Sequence, residues 1–189
     1  MRPAWRYAAS FYLAAIGLIA TTSGAKAQAP VFPEDSEFVA AECGGATSTD
    51  PARDQSEAQG GRDIVGDSSN AAIFIAETED YTFFRLRVDA DPTGPGGFEQ
   101  FGWVFLIDSD GDLTDFEFHV SLDGVGEDVY LRQNTTTDRP NDPTETPDDT
   151  PLAVYDTATH ARVSASTSSI DGEPDFFITV AVAKVDLEA

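Results

Sequence analysis

Asp108-Ser109-Asp110-Gly111-Asp112 is the stretch whose residue types and spacing are best suited to chemistry. Three carboxylates at alternate positions, with a glycine that permits a tight turn, can converge on one hard cation, and such oxygen donors are what calcium takes. Asp115 and Glu117 follow, and on an extended strand they share a face opposite Phe116 and Phe118. The candidate metal ligands are therefore Asp108, Asp110, Asp112, Asp115 and Glu117, with calcium as a structural rather than catalytic cofactor. The spacing is not that of an EF-hand, which places glycine sixth and glutamate twelfth in its loop. Counted from Asp108, those positions hold Leu113 and His119. The pattern is closer to the short DxDGD calcium turns of extracellular repeats. An ion-free turn is the alternative, because Asp and Gly are also the residues that hairpin turns favour.

Other chemistries find less footing, and the sequence reads as non-enzymatic with no catalytic residue assigned. The chain has two histidines, His119 and His160, and one cysteine, Cys43, without HExxH or paired-cysteine spacing, so zinc is poorly supported. A GxSxG elbow is absent. Gly94–Gly97 fits no phosphate-binding pattern and leads into no helix. Glycoside hydrolysis uses a pair of carboxylates, and among 34 acidic residues no pair stands out. A glycan-active enzyme using such a pair, or a purely structural component of a surface assembly, are the alternatives. His119 is expected to be an ordinary surface residue on the outer side of a strand. Tyr81, Phe98, Phe101, Trp103 and Tyr130 include candidates for stacking on a sugar ring. Trp103 belongs to the core, because Val104, Phe105 and Leu106 beside it are apolar on both faces.

The elements that must position these residues read as strands. In Tyr81–Asp89, Phe84, Leu86 and Val88 alternate with Phe83, Arg85 and Arg87, the period of two of a strand with one buried face. Phe101–Ile107 is apolar on both parities, which predicts a central strand covered on both sides. Phe116–Leu122 alternates again, and Asp128–Gln133 follows a glycine-containing turn. Further strand patterns occupy Ala72–Ala76, Ala153–Tyr155, Ala161–Ala165 and Phe176–Val185. No amphipathic helix of three turns is apparent. The fold class is all-β, an antiparallel two-sheet β-sandwich of jelly-roll or immunoglobulin-like type. Such a sandwich would accommodate one more strand after Leu187, so a final strand is expected to be lacking. Residues 62–189 form the sandwich, and 28–61 form an irregular lead-in with one strand near Glu37–Ala41. The segment 134–150, rich in Thr, Pro and Asp, is a solvated, disordered loop.

The first 27 residues read as an export signal. Arg2 and Arg6 form a positive head, residues 7–20 an uncharged, mostly apolar run, and Ala25-Lys26-Ala27 a small-x-small cleavage site. The run is short for a permanent span. Cleavage after Ala27 gives a secreted or periplasmic protein without membrane insertion. It also leaves eight basic against 34 acidic residues, a net charge of −26. That field repels nucleic acid and anionic lipid headgroups, so neither is an expected partner. A single cysteine excludes a disulfide within the chain.

DIVGD (63–67), YTFFRLRVDADP (81–92), FGWVFLIDSDGDLTDFEF (101–118) and FFITVAVAKVDL (176–187) together carry a resemblance. The run from Asp63 to Leu187 resembles bacterial exported domains related to carbohydrate-binding family 9 and DOMON β-sandwiches. The resemblance implies a two-sheet, non-catalytic, calcium-stabilised sandwich that binds carbohydrate or another small ligand, or is displayed beside another surface protein. No pair of tryptophans marks a sugar sandwich, a departure from that pattern.

Overall fold

Segments whose apolar residues alternate can bury one face of a sheet, and such segments form the strands of this fold. The computed structural model describes residues 28–43, 46–54, 60–109, 116–135 and 150–188. Residues 1–27, read above as an export signal, lie outside them, as does most of the 134–150 segment.

Thirteen strands run through the described residues. They are β1 (Val39–Ala40), β2 (Glu42–Cys43), β3 (Ala46–Thr47), β4 (Ile73–Glu77), β5 (Tyr81–Val88), β6 (Thr93–Gly94) and β7 (Gly97–Phe98), followed by β8 (Gly102–Ile107), β9 (Phe118–Asp123), β10 (Asp128–Gln133), β11 (Thr150–Asp156), β12 (Ala161–Ala165) and β13 (Phe176–Ala183). Two single-turn helices complete them, α1 (Thr157–His160) and α2 (Lys184–Leu187). One sheet has the order β1-β4-β5-β13-β12 and the other β11-β10-β9-β8, with every pairing antiparallel. The pairs β2–β3 and β6–β7 are small separate ribbons.

The two sheets pack face to face. Phe84, Leu86 and Val88 of β5 and Ile178, Val180 and Val182 of β13 meet Trp103, Phe105, Val120, Leu122, Val129 and Leu131 of the opposite sheet. Residues of one parity on each strand thus form the layer between the sheets, the arrangement of a β-sandwich. Trp103 is 1% exposed and belongs to this layer.

Two strands exchange the roles that their patterns suggested. β8, apolar on both parities, is an edge strand, and its Leu106 is 48% exposed. β5, which reads as half-polar, is central and buried along its whole length. The reason is a second covering layer. The lead-in supplies it: Phe32, Asp35 and Phe38 lie against Phe83 and Arg85 on the outer side of the larger sheet, while β1, within the strand expected near Glu37–Ala41, extends that sheet by pairing with β4. Phe32 packs on Phe83 with ring centroids 5.5 Å apart, and the Tyr81 hydroxyl donates to the Gln28 carbonyl at 2.6 Å. His119 is also a correction. It faces outward from β9 yet is 2% exposed, its ring 6.0 Å from that of Phe116.

The loop end of the sandwich is pinned by Glu127, which adopts φ 57° in the β9–β10 turn. Its carboxylate accepts from the Phe98 amide and from the Thr157 hydroxyl, both at 3.0 Å, joining β7, the turn and α1. Gly124 in the same turn has no room for a side chain, since a Cβ there would stand 1.9 Å from the Glu99 carbonyl oxygen. No helix among the described residues is long and apolar enough to cross a membrane.

Candidate functional site

The DxDGD loop joins β8 to β9, strands whose register pairs Ile107 with Phe118. Asp108 follows β8 and is exposed, while Glu117 precedes β9 and is half-buried. The strand begins at Phe118, so Glu117 stands at its threshold. The Glu117 carboxylate turns back across the loop and accepts from the Ser109 amide at 2.5 Å and the Ser109 hydroxyl at 2.9 Å. Asp110, Asp112 and Asp115 lie outside the described residues. Among the described residues, no group of three or more His, Cys, Asp or Glu side chains is placed to hold a metal ion.

The aromatic candidates are dispersed. Tyr81 is buried, Phe98 and Phe101 lie edge-on to Trp103, and the Arg132 guanidinium covers the Tyr130 ring at 4.1 Å.

A denser constellation lies on the outer side of the larger sheet. Residues of β5 that do not face the core, Phe83, Arg85 and Arg87, stand in register with Ala181, Thr179 and Phe177 of β13. In an antiparallel pair, residues opposite one another on one face are in contact. Arg162 of β12, opposite Thr179, extends this row. Three of the eight basic residues that follow Ala27 are thereby collected on one sheet face.

Arg85 is 1% exposed and lies with its guanidinium 3.5 Å from the Phe38 ring centre and 4.7 Å from that of Phe177. It donates to Thr179 Oγ1 at 2.9 Å and to Asp35 at 2.8 Å, whereas its Nη2 has no hydrogen-bond partner. Arg87 lies 4.7 Å from the same Phe177 ring and 5.6 Å from Phe74. Its Nε donates to the Ala71 carbonyl at 3.0 Å. Its Nη1 donates to the hydroxyls of Ser166, at 2.6 Å, and Ser168, and lies 3.5 Å from the Asp175 carboxylate. Asp175 is fully buried and also accepts from the Ser168 hydroxyl at 2.5 Å and the Ile170 amide at 3.2 Å.

Burial pulls both guanidinium pKa values below the ordinary arginine value, opposed at Arg85 by Asp35 and at Arg87 by Asp175. The two remain cationic, but they are charges largely stripped of water, which raises the value of any further anionic contact. Between them and the loop that joins β12 to β13 opens a cleft of about 230 Å³, lined by Asp35, Phe38, Asn70, Phe74, Arg85, Arg87, Ser166, Thr167, Ser168 and Phe177. A second, shallower depression of about 560 Å³ lies at the Gly94–Gln100 loop beside Arg62 and Glu127.

Sequence reasoning missed the arginine cleft. The legible signal was present in YTFFRLRVD, where two arginines share a parity with a phenylalanine in a chain poor in basic residues. Solvent exposure is the ordinary reading of such arginines, and their burial depends on partners distant in sequence. No family model matches the chain, and no curated protein or solved structure matches it.

Proposed function

We propose that this is an exported, non-catalytic binding module that seats carbohydrate in the cleft beside Arg85 and Arg87. The observation that carries the proposal is the cleft itself. The half-buried Phe74 ring adjoins fixed guanidinium and hydroxyl donors, and the two guanidinium groups, with the Phe177 ring that they cover, are held by central strands rather than by loops alone. Aromatic faces suit the apolar side of a sugar ring, and a few convergent polar groups orient its hydroxyls. Of the residues lining the cleft, Asp35 alone carries a carboxylate, whereas most glycoside hydrolysis employs two. This favours binding over turnover. The resemblance to carbohydrate-binding family 9 and DOMON sandwiches points the same way, and the export signal supplies the compartment. In the same reading a calcium ion braces the 108–117 loop as a structural element, with Asp108, Asp110, Asp112, Asp115 and Glu117 as its ligands.

Titration of the purified protein with a panel of mono- and oligosaccharides tests the proposal, with reducing ends assayed in parallel. Saturable binding without new reducing ends is the expected result. Release of new ends would transfer the function to the glycan-active alternative, and no binding across the panel would remove carbohydrate as the ligand class.

A further inference from the structure

The cleft has a chemical bias that a neutral sugar does not use. Two arginines at alternate positions of β5 project from one face, which places them about 7 Å apart at strand rise. Both flank the Phe177 ring. Arg85 Nη2 is unpartnered although the residue is almost wholly buried. Among the hydrogen bonds of Arg87, none uses Nη2. Arg85 Nη1 is already engaged by a carboxylate, that of Asp35, which is 60% exposed and belongs to the covering lead-in rather than to the sheet. Asp35 thus shows which group these donors accept.

Resting on the carbohydrate reading above, we propose that the ligand is an acidic sugar, a uronate, whose carboxylate is taken by Arg87 and Arg85. The carboxylate accepts from Arg87 Nη2 and competes with Asp35 for Arg85, both arginines lining the cleft. The sugar ring lies against the half-buried Phe74, beside the guanidinium groups that cover Phe177, and its hydroxyls meet Thr167 and Asn70. A planar guanidinium fork matches a carboxylate in shape as well as in charge. The surrounding field limits the choice further. A chain with 34 acidic residues repels a polyanion, so the ligand is a single uronate or a terminal one, not the interior of a polyuronate.

Calorimetric titration of the purified protein with sodium glucuronate, glucose, sodium acetate and a galacturonate oligomer tests this. Glucuronate should bind at least about tenfold more tightly than glucose, about 1.4 kcal/mol in binding free energy. It should also exceed acetate, which lacks the ring, and the oligomer, which carries more charge. Asp35→Asn removes the internal competitor from an exposed position and should tighten glucuronate binding severalfold, whereas Arg87→Met should weaken it at least tenfold. If Arg87→Met does not fold, as judged by circular dichroism, Asp35→Asn still decides the matter. Glucose binding as tightly as glucuronate would overturn the acidic-sugar assignment and leave carbohydrate binding intact. Failure of every sugar to bind would overturn both. An oligomer that binds more tightly than the monosaccharide, or an Asp35→Asn protein that binds glucuronate no better, would also overturn the assignment.

Discussion

Asp35, on the lead-in, reaches 2.8 Å from Nη1 of Arg85, on the central strand of the larger sheet. One partner is 60% exposed and the other 2%. This ion pair joins a covering segment to a sheet face that would otherwise hold a cation without a counter-charge. Breaking a fully buried pair costs several kcal/mol, but the exposed side of this one is screened by solvent.

Asp35→Ala should therefore lower the stability of the ligand-free protein by about 1 kcal/mol, measured by urea denaturation. Because water and salt reach Asp35, the loss should shrink as ionic strength rises. A loss that does not depend on salt would mean that Asp35 acts through packing instead.

Acidity should be felt through Asp89. Burial, and then the neighbouring carboxylates of Asp171, Asp63 and Asp175, push its pKa up from 3.8 to about 6. A folded-state value above the unfolded one means that protonation favours folding. The contribution of Asp89 is thus fully present below about pH 4 and is lost as pH rises through about 6. Asp171 is held below its ordinary value, first by the Glu173 amide, so its contribution runs the opposite way and is lost only on stronger acidification. Asp89→Asn, which keeps the shape without the charge, should flatten the stability profile between about pH 4 and pH 6. It should raise stability at pH 7 by about 1 kcal/mol. Chemical denaturation across that pH range is the measurement.

Two glycines should respond differently to the same change. Gly124→Ala sets a Cβ against the Glu99 carbonyl oxygen at 1.9 Å, and backbone must move to admit it. A loss of about 3 kcal/mol or more is expected. At Gly94 a Cβ meets nothing within 4 Å, and Gly94→Ala should stay within about 0.5 kcal/mol of the parent. Urea midpoints for the two variants give the contrast.

Calcium should raise the melting temperature if the 108–117 loop binds it. At a concentration a hundredfold above Kd the gain is about 2.7 kcal/mol. A chelator should reverse it, and the double variant Asp108→Asn with Asp110→Asn should melt as the chelated parent does, with or without calcium. Identical melting of the parent in calcium and in chelator would remove the metal from the account.

Strand existence was legible because a period of two is local. Asp128–Gln133 and Ala161–Ala165 are strands with the bounds their patterns indicate. Fold class was legible too, since alternating segments separated by turns have few ways to bury one face other than in two antiparallel sheets. In the lead-in, β1 falls where a strand was expected near Glu37–Ala41, whereas β2 and β3 were not legible, because two-residue strands that pair only with each other carry no pattern of their own.

Composition and periodicity by themselves determined the antiparallel strands, the parity that faces the core and the acidic surface, because each follows from residues near one another in the chain. Only the tertiary structure decided that β8 lies at an edge while β5 is central and covered on both sides. It alone set Arg85 against Thr179, 94 residues away, and against Asp35, 50 residues away. An arginine reads as exposed until distant segments supply rings and counter-charges to cover it. That cover depends on cross-strand register and on the path of the lead-in, and neither is written in any local run of residues.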